Sequence, residues 1–147
     1  LTLIVKDFLR DQKLGDLTAV FGFIWAAFVL ASGFIFIVGV EKITHIKMNY
    51  DNKIIIWKTI EILQDALGGG IELIGGIWVF LIGVSGCLKK KFNPFFNVFS
   101  ILLGVLGMVT VLPFLLHLGS VFGLFQIIWF LLLGFFLRVE SCRKQNT

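Results

Sequence analysis

Glu72 is the side chain best placed to do chemistry, because it stands inside a glycine-rich apolar run, GGGIELIGGIW, at residues 68–78. A carboxylate near the centre of a membrane costs roughly 3 kcal/mol unless it has partners or reaches the headgroups. One interpretation is a structural clamp, in which Glu72 lies near a helix amino terminus and accepts hydrogen bonds from Gln126, Thr110 or a Trp indole. The other is a coupling group that exchanges a proton or binds a cation. The clamp is favoured, because hydrogen-bond networks also form around carboxylates that have no transport role.

Three further polar side chains are expected near the depth of Glu72. We measured depth from the outer end of each apolar run, the end opposite the lysine-rich segments, at about 1.5 Å per residue. This depth is roughly 9–12 Å for Ser32, Thr110 and Gln126, and roughly 3–8 Å for Glu72. We therefore predict a polar intramembrane layer formed by Glu72, Gln126, Ser32 and Thr110.

Small residues recur on the helical faces that carry these polar groups. Such faces let membrane helices approach closely. We predict helix packing along three stripes, which comprise Gly69, Glu72, Gly76 and Gly83; Ser100, Gly104, Gly107 and Thr110; and Gly119, Gly123, Gln126 and Gly134.

Four long apolar runs must position these residues. The chain is 58% hydrophobic with a mean hydropathy of +0.98, far above a soluble domain. A helix needs about 20 apolar residues to cross the hydrocarbon core, and the runs 19–40, 70–88, 95–116 and 120–139 meet that length. No alternation of polar and apolar residues recurs at strand length. We predict an all-α integral membrane protein, a four-transmembrane-helix bundle in which residues 1–147 form a single domain.

Residues with capping chemistry stand at the ends of these runs. Asp16 or Thr18 is expected to cap the first helix, and Asn93-Pro94 places a capping side chain before a proline that opens the third. The segment 118–120, Leu-Gly-Ser, is expected to end the third helix and begin the fourth as a tight hairpin. Helices three and four are therefore predicted to be neighbours.

Two amphipathic segments flank the first pair of spans. Residues 1–15 are predicted to form a short helix in the inner interface, with Leu1, Ile4, Val5, Phe8 and Leu9 on its apolar face. Residues 54–67 are predicted to lie along the outer surface, with the three glycines that follow turning the chain into the membrane. The alternative is one helix over 54–88 that tolerates those glycines. The run 19–40 is longer than a signal-peptide core, so we expect it to stay as a span.

The distribution of Lys and Arg predicts the orientation. Lys6, Arg10 and Lys13 precede the first span, residues 89–91 are three lysines after the second, and Arg138, Arg143 and Lys144 follow the fourth. With four crossings these residues share one side, and the other side has Lys42, Lys47, Lys53 and Lys58 beside four acidic residues. The positive-inside rule then places both termini in the cytoplasm.

Several classes of function have no supporting pattern. His45 and His117 fall on the side of Glu72, but without a helical His pair their spacing does not predict a metal site. Cys87 and Cys142 lie at the inner face, where thiols stay reduced, so no disulfide is expected. No basic face is interleaved with exposed aromatics, which argues against nucleic acid as a partner. No phosphate loop or nucleophile motif is present, and we predict neither catalysis nor a cofactor.

Three segments carry a resemblance to a known family: residues 68–78, the stretch from Trp25 to Ser32-Gly33, and GLFQIIW at 123–129. From about Val20 to Leu137 the chain looks like a group of small bacterial multi-pass membrane proteins classed as a domain of unknown function. The resemblance implies a four-helix topology and the bacterial plasma membrane. It implies no activity and no site residue.

The chain is therefore predicted to be a small non-catalytic membrane protein, an accessory or scaffold subunit that packs in lipid against another membrane protein or itself. The alternative is a small ion- or proton-coupled transporter with Glu72 as coupling carboxylate and Gln126 and Ser32 lining the site. A second alternative is a lipid- or quinone-binding module with a cleft lined by Trp78, Trp129 and Phe130. Transport is disfavoured, because 77–84 and 127–137 hold no ionisable residue that would continue a polar path.

Overall fold

The protein is helical along nearly its whole length. The computed structural model describes residues 1–9, 12–45, 47, 49–90, 92–115 and 117–145, and only the backbone of 12, 68–70, 113 and 140–145. Its elements are α1 (Thr2–Leu9), α2 (Gln12–His45), α3 (Tyr50–Lys89), α4 (Pro94–Val109), a 3-10 turn (Pro113–Leu115) and α5 (Leu118–Gln145). The described residues contain no strand, which confirms the all-α prediction.

Three helices are long and apolar enough to cross a membrane: Lys13–His45, Tyr50–Lys89 and Leu118–Val139. The remaining apolar helix, α4, has 16 residues. At about 1.5 Å per residue it covers about 24 Å, which is less than a hydrocarbon core of about 30 Å. Length and composition therefore support three of the four predicted spans.

The predicted third span, 95–116, is divided in two. Its start is as expected, because Asn93 caps α4, accepting a hydrogen bond from the Phe95 amide at 3.0 Å, and Pro94 follows in the first turn. The helix ends at Val109, because Pro113 has no backbone N–H to donate to the Val109 carbonyl. That carbonyl accepts a 3.1 Å bond from the Leu112 amide instead. The connection to α5 is consequently longer than the predicted tight hairpin, and Gly119 already lies inside α5.

The second predicted span and the segment before it form one unbroken helix. α3 runs for 40 residues, about 60 Å, through the three glycines at 68–70. The surface segment 54–67 is therefore the first part of α3, as in the alternative with a single helix. α2 runs antiparallel beside it: Gly22 lies against Trp78, and Gly39 against Ile60. This side-by-side packing compensates the weak helix propensity of the glycines.

The amino-terminal helix folds back on α2. Thr2 of α1 lies beside Gly22, and Lys6 forms a 2.6 Å ion pair with Asp16. Val5, Phe8 and Leu9 are buried, as the apolar face predicts, whereas Leu1 and Ile4 are exposed. Asp16 and Thr18, the residues predicted to cap the first span, do not cap it. α2 already begins at Gln12, and the Thr18 hydroxyl donates to the Leu14 carbonyl inside the helix.

α4 and α5 reach only part of the way along α3. α4 begins beside the end of α3, where Asn97 touches Gly86, and it ends near Glu72, whose carbonyl lies against Gly107. α5 starts at the same level, with Gly119 against the Glu72 side chain. The part of α3 before Glu72 extends about 30 Å further, alongside the second half of α2. The buried apolar core lies on the other side of Glu72, around Trp78, Val79, Ile82, Phe96, Phe122, Trp129 and Leu133.

Candidate functional site

The Glu72 carboxylate lies against the amino terminus of α5. A Cβ placed on Gly119 would overlap the carboxylate, with Oε2 only 2.6 Å away, so the acid fills the space that a side chain at 119 would need. Gly119 is the second residue of α5, and the first amides of a helix have no partner within it. Negative charge is stabilised at such a terminus by about 0.3–1 kcal/mol, and by up to about 2 when partly buried. Glu72 is thus near a helix amino terminus, as the clamp interpretation expects, but the helix is α5.

Thr110 completes this contact from α4. Its side chain lies close to that of Glu72, and its hydroxyl donates a 2.7 Å hydrogen bond to the Gly107 carbonyl. Thr110 is the C-cap residue of α4 and is fully buried. Glu72, Thr110 and Gly119 therefore join α3 to both ends of the α4–α5 connection.

Ser32 belongs to a different contact. Its hydroxyl donates to Gln64 Oε1 at 2.5 Å, and Gln64 Nε2 donates back to the Ser32 carbonyl at 2.8 Å. Gln64 precedes Glu72 by eight residues, about 12 Å along α3. Gln64 is not among the residues predicted from the sequence, although it is an amide on the face of α3 that also carries Ile60, Leu67 and Ile71.

Gln126 lies on the opposite side of Glu72 in depth. It is buried in α5, seven residues or about 10 Å beyond Gly119, and its Nε2 has no hydrogen-bond partner among the described residues. The four predicted polar residues are therefore spread over about 20 Å of depth and do not form one layer. The prediction assumed that all apolar runs end at the same level. The helices are in fact offset along their axes, so equal distances from the ends of the runs do not correspond to equal depth.

The predicted glycine stripes divide into contacts and open positions. A Cβ on Gly76 would lie 2.7 Å from the Gly104 carbonyl oxygen, and one on Gly104 would lie 2.7 Å from the Gly76 carbonyl oxygen. Gly83 lies against Ser100, and Gly107 against Phe122. Gly123 and Gly134 have no atom within 4 Å of the position that a Cβ would occupy. Gly69 lies in α3, but its surroundings fall outside the described residues.

The tryptophans pack against each other and against glycines. Trp25 lies over Gly75 and Trp78 over Gly22, and their rings stack 5.4 Å apart at 18°. Trp78 and Trp129 are 5.5 Å apart, and Trp129 Nε1 donates to Ser100 Oγ at 2.7 Å. Trp78 and Trp129 are almost completely buried. Among the described residues, these rings pack into the buried interior.

The contacts described around Glu72 suit a carboxylate that holds a helix end or a proton. Within the described part of the chain, no three His, Cys, Asp or Glu side chains come close enough to hold a metal ion. Toward the lysine-rich end the next side chains are Trp78, Val79 and Ile82, each at most 1% exposed. The interior on that side is therefore tightly packed, and it also holds the buried polar side chains Ser85, Ser100 and Gln126.

Comparison of the chain with protein-family models, with curated proteins and with solved structures gave no match. The resemblance to a bacterial membrane family stays a prediction.

Proposed function

We propose that this protein is a non-catalytic accessory subunit of a larger membrane assembly. It crosses the membrane four times as a helix bundle, with α4 and its 3-10 turn as the third crossing and with both termini on the lysine-rich cytoplasmic side. By resemblance, the membrane is the bacterial plasma membrane.

The extension of α2 and α3 past the other helices carries this proposal. Beyond Glu72 these two helices continue for about 30 Å with no counterpart from α4 or α5. The α2 side of the extension is apolar and open, with Leu30, Phe34 and Ile37 more than 60% exposed. Gly33 on this part of α2 has nothing within 4 Å of its Cβ position. Small residues beside large apolar ones are typical of faces that receive another membrane helix.

The packed interior argues against the transporter alternative. A coupling site at Glu72 needs a polar route to both membrane faces. Toward the lysine-rich end Trp78, Val79 and Ile82 are apolar and buried, and no ionisable side chain stands among the buried residues described there. The Glu72 carboxylate also lies against the α5 terminus, close to Thr110, which suits a clamp. The contacts of Trp78, Trp129 and Phe130 with each other likewise disfavour the second alternative, a lipid or quinone cleft at these rings.

Photo-crosslinking from single sites tests the accessory role. Benzoylphenylalanine replaces Phe34 on the open face of α2 or, as matched control, Phe95 on α4, which is 74% exposed. Irradiation in native membranes is followed by mass analysis of the adducts.

An adduct between position 34 and one other membrane protein, absent from position 95, is the expected result. Adducts at position 34 that contain only lipid or a second copy of this chain would contradict the accessory role. In that case proton flux in vesicles, compared between the wild type and Glu72→Gln, tests the transporter alternative directly.

A further inference from the structure

A cleft lies at the lysine-rich end of the protein, between the last turn of α3 and the first turns of α4. Its volume is about 430 Å³, and it is lined by Cys87, Lys90, Phe92, Pro94, Asn97 and Val98. Sites for small molecules commonly measure roughly 300–1,000 Å³. The cleft is large enough for a headgroup and the adjoining part of an amphiphile.

The rim of this cleft is cationic. Lys90 follows α3 and is exposed, and among the described residues no carboxylate pairs with it. Lys89 stands next to it at the end of α3. None of the lining residues that the structure describes is acidic, so the cleft favours an anion over a cation or a neutral molecule.

The walls and floor differ from the rim. Phe92, Pro94 and Val98 are apolar lining residues, and Asn97 is a polar one with only 3% of its surface exposed. Its Nδ2 donates to the Phe92 carbonyl at 3.4 Å, while Oδ1 packs against Gly86 and has no hydrogen-bond partner among the described residues. A cation above apolar walls fits an amphiphile with a charged head better than it fits a free ion.

The depth of the cleft matches a leaflet of phosphates. The apolar part of α3 ends at Lys89 and Lys90, and lysines that follow an apolar helix reach the level of the headgroups. Ring contacts of Phe92 with Phe8 at 4.9 Å and with Phe136 at 6.1 Å bring the end of α1 to this level, together with the last turn of the apolar part of α5, which ends at Val139. The cleft therefore opens where the headgroups of one leaflet lie.

We propose that this cleft binds an anionic phospholipid. The Lys90 ammonium holds the phosphate, and the glycerol and upper acyl chains lie along Phe92, Pro94 and Val98. A zwitterionic lipid is bound less well, because its ammonium meets Lys90 and finds no lining carboxylate. Basic clefts between helix ends on the cytoplasmic side are suited to such headgroups. The site needs membrane insertion but is independent of the accessory role.

Cys87 is an exposed thiol in the cleft wall and serves as the reporter. The full chain with Cys142→Ser is placed in vesicles of phosphatidylcholine, with or without phosphatidylglycerol, and the alkylation rate of Cys87 by neutral N-ethylmaleimide is measured. Lys90→Asn removes the charge. Asn is chosen because Lys90 has a φ of 50°, a left-handed conformation that Asn tolerates. Lys13→Gln is the control, since it removes one charge near the same membrane face but outside the cleft.

Phosphatidylglycerol is expected to slow alkylation about fivefold in the wild type and in Lys13→Gln, and to have little effect in Lys90→Asn. Equal slowing in Lys90→Asn, or none in the wild type, would overturn the proposal. Adding inorganic phosphate to phosphatidylcholine vesicles tests whether the cleft binds free phosphate as well as the phosphate of a lipid. If phosphate protects Cys87 as well as the lipid does, the cleft is an anion site and the lipid assignment fails.

Discussion

At the scale of single residues, the surroundings of Glu72 offset the cost of its burial. A carboxylate within a membrane costs roughly 3 kcal/mol. A helix amino terminus returns up to about 2 kcal/mol. We therefore expect the α5 terminus to offset much of the cost of placing Glu72 there, as the clamp interpretation requires.

Replacing Gly119 by alanine tests this contact. The new Cβ would overlap the Glu72 carboxylate, and we expect Gly119→Ala to lower the free energy of unfolding by about 1–3 kcal/mol. Gly123→Ala is the matched control four residues along α5, where the space is open, and it should be neutral or gain about 0.5–1 kcal/mol. Thermal unfolding in detergent measures both.

A double-mutant cycle isolates the cause. Glu72→Ala removes the carboxylate, so Gly119→Ala added to it should cost much less than in the wild type. If the two changes are additive, the carboxylate does not occupy this position.

The ion pair between Lys6 and Asp16 predicts a pH dependence for α1. A hydrogen bond and the charge of Asp16 raise the pKa of Lys6 above its ordinary value of 10.5. Because the folded-state pKa is raised, the pair holds α1 on α2 fully below about pH 10.5, and this contribution is lost as the pH rises through the higher folded value. The effect is small, because both side chains are largely exposed.

Spin labels on Leu3→Cys and Val20→Cys, in a chain without other cysteines, report the distance between α1 and α2. We expect the separated population to grow above about pH 10.5. In Asp16→Asn it should already be larger at neutral pH, with no further step in the alkaline range. A distance distribution in the wild type that does not change up to strongly alkaline pH would refute the role of the pair.

Sequence patterns predicted contacts between residues adjacent in the chain better than contacts between different helices. The Asn93-Pro94 start of α4 follows from adjacent residues, and it was predicted. The partner of Ser32 depends on how far α2 and α3 are offset, which hydropathy does not contain, so Gln64 was missed. Gly119 was assigned to a packing stripe, but its contact with Glu72 depends on where α4 ends. Pro113 marked that end, and the length of the apolar run 95–116 concealed it.

At the scale of elements, the closest helix contact is between α3 and α4. Gly76 and Gly104 face each other so closely that each Cβ would meet the other's backbone, which cannot move as a side chain can. The same face continues through Gly83 and Ser100, so two helices with few polar groups gain extensive van der Waals contact.

Gly76→Ala should therefore destabilise the protein more than an alanine placed elsewhere in a helix. We expect a loss of about 2–3 kcal/mol, because the backbones of α3 and α4 must separate. Gly33→Ala, in open surroundings on α2, should be neutral or slightly stabilising. Unfolding in mixed micelles ranks the two variants, and equal stabilities would show that α3 and α4 are further apart than described.

At the scale of the whole molecule, helix lengths create a step. α4 and α5 accompany α3 for about 27 Å, whereas α2 and α3 continue about 30 Å further. The Ser32–Gln64 pair ties the two helices together within this extension, but the outer face of α2 stays open. Lipid can cover part of that face. We expect a protein partner because the exposed face of α2 extends so far beyond α4 and α5.

Replacing Gly33 by a larger residue tests partner binding separately from the stability of the fold. Gly33→Ile fills open space beside Phe34, so we expect the free energy of unfolding of the isolated protein to change by less than about 1 kcal/mol. A partner helix seated on this face loses its close approach, and its co-purification should fall at least about tenfold, as one clash of about 1.4 kcal/mol suffices. Gly134→Ile, equally open but on α5, should leave the partner bound. Native mass spectrometry of gently extracted membranes measures both, and loss of the partner in both variants or in neither would show that α2 does not provide the docking face.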